Sequence, residues 1–206
     1  MSVSLRPLLA AAWLLLPAVL PAAEYALDVE HSNVQFSVPV MAVSKVTAKF
    51  MRYDVQMSAG KAHDLSQAKV IATIEMASVD TGSDSWDGKL RTPAYFDVAK
   101  YPEIRFESRR VHRGKGGRWE AIGPLTLHGV TKDITLPFTI QGRFDGPKPD
   151  DVIGIHATFS FDRREFGMAW AGNSEAKVVG NKVTVDISLA ATRVAAAPAP
   201  KKKKAA

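Results

Sequence analysis

The stretch Asp133-Ile134-Thr135-Leu136-Pro137-Phe138-Thr139-Ile140 alternates polar and apolar side chains one by one. Val183, Val185, Ile187 and Leu189 repeat the pattern against Lys182, Thr184, Asp186 and Ser188. A period of two places one face of an extended strand inside and the other in water. The rhythm recurs in Val34-Phe36-Val38-Val40, Val46-Ala48-Phe50, Val70-Ala72-Ile74-Met76, Ile104-Phe106 and Ile153-Ile155-Ala157-Phe159-Phe161, each counted on alternate residues. Turn-forming clusters separate these runs at Gly60-Lys61, Gly114-Lys115-Gly116-Gly117, His128-Gly129, Gly146-Pro147-Lys148-Pro149 and Gly180-Asn181. Short loops between short strands predict an antiparallel meander rather than a chain of βαβ units. Pro39 and Pro137 lack a ladder donor, so each is expected at an edge, a bulge or a strand break.

The predicted fold is therefore all-β, an antiparallel barrel of eight or nine strands. An eight-stranded barrel is just wide enough to be filled by its own side chains or to hold one small ligand, as lipocalins do. Alternation leaves both options open, because an inward Phe looks the same facing a core or a pocket. One short helix-containing excursion breaks the rhythm between Ser78 and Tyr101. Asp84 is expected to cap a helix running to Leu90, with Lys89 and Arg91 late and Pro93 and Pro102 as stops. The excursion carries Trp86, Leu90, Tyr95, Phe96 and Val98, which suits a lid or plug on a barrel end.

The 206 residues are 46% hydrophobic and 23% charged, an ordinary globular composition. No cysteine is present, which removes disulfides, a thiol nucleophile and thiolate metal sites. The net charge of +6 resides at the ends. Of 27 Lys and Arg, Arg6 and Lys201 to Lys204 fall outside residues 24–200, leaving 22 bases against 21 acids. The body thus has no basic excess for nucleic acid. Arg6, the uncharged run Leu8 to Leu20 and Pro21-Ala22-Ala23 have the layout of a cleaved signal peptide over residues 1–23, too short to span a bilayer. Export to the periplasm is the expectation. Residues 24–194 form the domain, and 195–206 are an Ala/Pro/Lys tail expected to be disordered. Its four lysines fit peripheral contact with anionic lipid head groups and equally a solubilising tail.

Chemical motifs are sparse. The five histidines have no metal-ligand spacing, and Asp80, Asp84 and Asp87 lack the closing Glu of a calcium loop, since position 91 is arginine. The glycines at 114–117 lack Walker spacing. Asp28, His31 and Ser32 are triad residue types without a nucleophile elbow, and read as a polar turn between strands. Neither a metal nor another cofactor is called for.

The ordered motifs Tyr25-Ala-Leu-Asp-Val-Glu-His31-Ser-Asn-Val-Gln-Phe36, Val79-Asp80-Thr81, Lys89 through Ser108, Gly123-Pro-Leu-Thr-Leu-His-Gly-Val-Thr-Lys132 and Phe161-Asp-Arg-Arg-Glu-Phe-Gly-Met168 together resemble the YceI-like, polyisoprenoid-binding family of bacterial periplasmic proteins, over Tyr25 to about Ala191. The resemblance implies an extended lipocalin-like barrel whose elongated apolar cavity can hold an isoprenoid lipid or a quinone tail. It implies no enzymatic activity for the family as a whole. The sequence departs from the family where relatives carry a His-Gly turn and a further glycine: here stand Val40-Met-Ala-Val-Ser-Lys-Val-Thr-Ala-Lys-Phe50.

Such a function is non-enzymatic binding, storage or transport. Burying about 400 Å² of an isoprenoid at roughly 25 cal/mol per Å² gives a gross gain of about 10 kcal/mol, reduced by ordering and lost translation. The expected lining is Phe36, Val38, Phe50, Met57, Ile74, Met76, Trp86, Phe96, Phe106, Leu127, Phe138, Phe159, Met168 and Trp170. Methionine adapts to irregular ligands. Plain core packing is the competing role for each, with Trp86 and Phe96 the better pocket candidates. His31 and Arg91 are the polar candidates at a mouth. The alternative is a hydrolase or isomerase acting on a small amphiphile in the same cavity through His31 or His128. An exposed strand edge could support a homodimer, although nothing in the sequence demands one.

Overall fold

The first strand and the last are hydrogen-bonded to each other. β1 (Ala23–Val40) pairs antiparallel with β11 (Lys182–Val194), from Glu24 opposite Val194 to Ser37 opposite Thr184. The computed structural model describes residues 23–59, 64–144, 152–169 and 178–194. Between β1 and β11 the sheet runs through β3 (Tyr53–Ala59), β4 (Lys69–Glu75), β6 (Glu103–Glu107), β8 (Trp119–Leu127), β9 (Val130–Phe144) and β10 (Val152–Asp162). These eight antiparallel strands close into a barrel, matching the expected eight- or nine-stranded, lipocalin-like architecture. Three shorter strands lie off the ring: β2 (Ser44–Phe50) on β1, β5 (Val79–Asp80) on β2, and β7 (Arg110–Arg113) on β8.

β2 and β3 together read as one broken strand along β1. The upper part of β1 pairs with β2 from Val40 opposite Ser44 to Gln35 opposite Lys49, and the lower part pairs with β3 at Tyr25 opposite Met57. β1 itself is bulged. Its four residues 29–32 face the single residue Leu189 between the pairs Asp28–Ala190 and Asn33–Ser188. The polar turn expected at Asp28 to Ser32 is thus a bulge inside a strand, not a turn between two. Bulges let a long strand bend around a barrel without losing its partner.

Each proline keeps a cross-strand partner on one side only, Pro137 opposite Glu120 of β8 and Pro39 opposite Lys45 of β2. Pro137 lies one residue beyond the last β9–β10 pair, and Pro39 two beyond the last β1–β11 pair. The turns expected at Gly60-Lys61 and Gly146–Pro149, residues 1–22 of the leader expected over 1–23, and the tail over 195–206 lie outside the described residues, while Ala23 opens β1.

The excursion contains α1 (Asp84–Arg91). Ser83, not Asp84, is the N-cap residue, and Asp84 opens the first turn. The carboxylate that organises this end is Asp87, which is buried and accepts from the Thr81 N–H at 2.8 Å and the Thr81 hydroxyl at 2.7 Å. Helix, turn and strand β5 are thereby tied together.

Two turns decide how strands meet. His128-Gly129 joins β8 to β9, with φ of 51° and 75°, the left-handed pair a tight hairpin needs. Gly129 has no room for a side chain, because a Cβ there would stand 2.5 Å from the Tyr101 ring. The β1–β2 hairpin uses Met41 (φ 51°) and Ala42 (φ 57°) in the same conformation without glycine. A different constraint holds at Gly123, whose Cβ would stand 2.0 Å from the Glu107 carbonyl oxygen. There β8 passes the break between β6 and β7, and Arg109 N–H reaches the Ile122 carbonyl at 2.8 Å.

Gly123→Ala is expected to cost about 2–3 kcal/mol, because backbone rather than a side-chain tip must move. Ala42→Gly is expected to gain about 0.5–1 kcal/mol by relieving left-handed strain. Urea unfolding of both variants checks the two signs. Burial pushes the His128 imidazole below its ordinary pKa, opposed by its hydrogen bond to the Phe166 backbone and by Asp97. The unfolded chain therefore takes up the proton more readily, and stability should be full above the ordinary histidine range and fall as pH drops through it. His128→Asn, which tolerates the left-handed turn, should flatten that loss between about pH 7 and 5; an unchanged pH slope would contradict the assignment.

Candidate functional site

The inward rows of the ring enclose one cavity of about 520 Å³. Its wall takes alternate residues from every strand of the barrel: Val34, Phe36 and Val38 of β1, Val55 and Met57 of β3, and Val70, Ala72 and Ile74 of β4. Ile104 and Phe106 of β6, Leu125 and Leu127 of β8, and Ile134, Leu136 and Phe138 of β9 continue it. Ile155, Ala157, Phe159 and Phe161 of β10 and Val183, Val185, Ile187 and Leu189 of β11 complete the circuit. This volume lies within the roughly 300–1,000 Å³ typical of small-molecule sites. Partial exposure of Val55, Ala72 and Ile74, which sit mid-strand on inward rows, is exposure to this space.

The excursion supplies Trp86 and Leu90 of α1 with Tyr95 and Phe96 after it. Phe36 joins it to the sheet, with its ring 5.4 Å from Phe50 and 6.1 Å from Phe96 in an edge-on arrangement. Such geometry favours aromatic pairs beyond area burial. Arg91 fastens the helix to the preceding turn by donating from Nε to the Ala77 carbonyl and from a terminal nitrogen to that of Val79, both at 2.9 Å.

Thirteen of the residues expected from sequence lie on this wall: Phe36, Val38, Phe50, Met57, Ile74, Met76, Trp86, Phe96, Phe106, Leu127, Phe138, Phe159 and Met168. Met76 is only 1% exposed and packs into the wall. Trp170 lies outside the described residues. The two polar candidates stand apart from the cavity. Arg91 is engaged in the backbone clamp just described. His31 projects from the β1 bulge with its side chain 74% exposed, and its Nδ1 lies 2.8 Å from Asp28 Oδ2. That carboxylate raises the His31 pKa, and its hydrogen bond to His31 holds Asp28 below the usual range.

Ser32 does not complete a triad with them. Its hydroxyl donates to the Asp28 backbone carbonyl at 2.6 Å and accepts from the Ala190 N–H at 3.0 Å, so it serves the β1–β11 seam. Among the described residues no three His, Asp or Glu side chains gather as a metal site would require.

Sequence reasoning passed over Ile134 and Ile187, although the period-two rows already carried them, and Leu27 and Val55, which stood in no such row. It also missed Arg163, which lies on the wall yet is 1% exposed. Burial lowers the pKa of its guanidinium, and it donates to the Met168 carbonyl and, at 3.2 Å, to the Gly180 carbonyl. A buried arginine spread over backbone carbonyls fastens a chain return; here it holds the turn Arg163–Phe166 against residues 178–180. Among the described residues of the wall, besides Arg163, only Gln35, Thr81 and Ser83 have polar side chains other than tyrosine or tryptophan.

Comparison with known proteins gives the same architecture. A UPF0312 protein of Shewanella denitrificans is 33% identical over 158 residues, covering 75% of this chain and 82% of the relative. One from Staphylococcus aureus is 30% identical over 145 residues, covering 70% and 81%. Burkholderia cenocepacia BcnA superposes with a TM-score of 0.70 at 20% identity, over 80% of this chain and 98% of that one. A polyisoprenoid binding domain from Saccharophagus degradans, implicated in plant cell wall breakdown, superposes with a TM-score of 0.60 at 17% identity, over 82% and 98%. At these identities the structural likenesses speak to the fold. The model of the YceI-like domain matches residues 25–191, the whole ring from Tyr25 on β1 to Ala191 on β11, and the chain belongs to the YceI-like family.

Proposed function

We propose that the protein binds an isoprenoid lipid or a quinone-like amphiphile in its barrel, without catalysis, and stores it or carries it through the periplasm. One observation carries this reading: a cavity of about 520 Å³ whose wall is built from apolar rows on all eight ring strands. An isoprenoid chain is nearly insoluble in water and has no hydrogen-bonding groups along its length. Such a wall matches it carbon by carbon. Each buried CH₂ contributes about 0.8 kcal/mol, so one five-carbon unit contributes a gross gain of about 4 kcal/mol. Ordering the chain and losing its translation offset much of that sum.

The description of the Saccharophagus domain supports the same ligand class. Export is supported by the basic start, the apolar run Leu8 to Leu20 and the small residues that follow. The reading asks nothing of His31 or His128 as acid or base. Selection rests on shape and greasiness, with Thr81, Ser83 and the Trp86 indole as the polar groups nearest a head group.

The test fills the tunnel. Ala72 stands on an inward row opposite Val55 and Phe106 and is partly exposed to the cavity. Ala72→Phe should place a ring where the chain would lie. Native mass spectrometry of the purified protein after incubation with a prenyl alcohol should show a one-to-one complex for the wild type. The variant should lose at least about tenfold in affinity, equivalent to 1.4 kcal/mol, while its circular dichroism stays unchanged. No complex with any prenyl alcohol or quinone, or equal binding by both proteins, would contradict the proposal. His31→Ala should leave retention as it is.

A further inference from the structure

The exposed apolar side chains are not scattered. Among the described residues, eight large ones stand in solvent: Val29, Met41, Val43, Val46, Met51, Trp86, Val178 and Val194. Three of them, Val46 (45% exposed), Trp86 (48%) and Val178 (39%), also line the cavity, so they mark its mouth. Met41 and Val43, at 63% and 83%, form the tip of the adjoining β1–β2 hairpin, and Met41 N–H donates to the Val178 carbonyl at 2.7 Å. α1 comes to the same place. β5 pairs antiparallel with β2 at Phe50–Val79 and Lys49–Asp80, so the chain beyond Asp80 runs back along β2 toward Ser44. It carries Thr81, Ser83 and Trp86 with it.

Five of the eight thus gather around one opening. Single exposed apolar residues need no explanation, but a cluster rimmed by polar groups marks an interaction surface. The hairpin tip is also costly to build this way. Met41 and Ala42 hold left-handed backbone without glycine, and a polar Asn-Gly would serve the turn better. The rim carries exposed lysines beside the acids Asp84 on α1 and Asp162 opposite Lys182. Lys45 is exposed across from Pro39, the Pro39 carbonyl accepts from Gly180 N–H, and Lys182 is exposed two residues further on. Trp86 has Lys89 Nζ 4.8 Å from its ring centroid, an arrangement suited to the boundary between head groups and acyl chains.

We infer that the tip Met41–Val43, with Val46, Trp86 and Val178, docks the cavity mouth onto an anionic lipid bilayer. The inference rests on the proposed lipid cargo, which resides in membranes and must cross the interface without meeting water. The apolar tip enters the head-group region, Lys45 and Lys182 meet lipid phosphates, and the opening faces the acyl chains. Basic residues near an anionic leaflet add attraction that salt screens.

The experiment uses the protein as its host processes it, with the lysine tail present in every variant. Flotation with vesicles of phosphatidylcholine containing phosphatidylglycerol should carry the wild type upward. Met41→Ser/Val43→Ser should reduce the bound fraction at least tenfold, and Lys45→Glu/Lys182→Glu should reduce it on these vesicles but not on pure phosphatidylcholine. Neither pair lies on the cavity wall, so uptake of a prenyl alcohol from detergent micelles should be unchanged, whereas uptake from vesicles should slow. Vesicle binding unaffected by the Met41/Val43 change would overturn the inference. So would light scattering that shows a wild-type dimer broken by that change, since the patch would then join two copies. Vesicle binding through the tip without uptake from micelles would leave docking standing and overturn the cargo reading instead.

Discussion

Closure of β1 against β11 is the constraint on which the other features depend. The pairing joins residues at opposite ends of the domain, Glu24 with Val194 and Phe36 with Val185, and so converts a meander into a ring. Once eight strands close, the interior radius is set by strand number and tilt rather than by side-chain volume. Inward rows must then meet across a fixed gap. Here the inward rows leave a space of about 520 Å³ between them. The β1 bulge serves that closure, since Ser32 is pinned between the Asp28 carbonyl and the Ala190 N–H where the register shifts.

Closure also explains why the excursion is where it is. A ring has two open ends, and each must be covered or used. Phe96 folds in against Phe36, with Leu90 and Tyr95 on the same wall, while Arg91 and Asp87 lock the helix to the preceding turn. Arg163 performs the matching task for residues 178–180. The polar groups that look chemical in the sequence are therefore occupied in holding backbone. His31 and Asp28 engage each other on the outside of the barrel, at a distance from the apolar wall set by the strand itself.

Much of this was legible in the order of residues. The rows through Phe36, Ile74, Phe106, Phe138 and Phe159 followed from a period of two, and those residues stand on one wall because alternate side chains of a strand share a face. Trp86 and Phe96 were visible as apolar residues off the rhythm. What periodicity does not encode is distance across the ring, so a packed core and a cavity have the same pattern. Nor does it encode a bulge. Asp28 to Ser32 has the composition of a turn, and only the long-range partner Leu189 makes it part of a strand. Arg91 looked like a mouth residue because it is charged and close to Trp86, yet two backbone carbonyls claim its guanidinium. The unusual hairpin at Met41 and Ala42 was visible as missing glycines, and its exposure gives that departure a physical meaning.

The central claim is an apolar space inside a closed ring, and xenon pressurisation of crystals of the protein tests it most directly, since a dry apolar cavity takes up xenon while a packed core does not. The account predicts anomalous density for xenon, or continuous hydrocarbon density from a retained lipid, between Phe36, Ala72, Leu136 and Ile187. A ring flattened until those side chains touch, with density for neither, would contradict it.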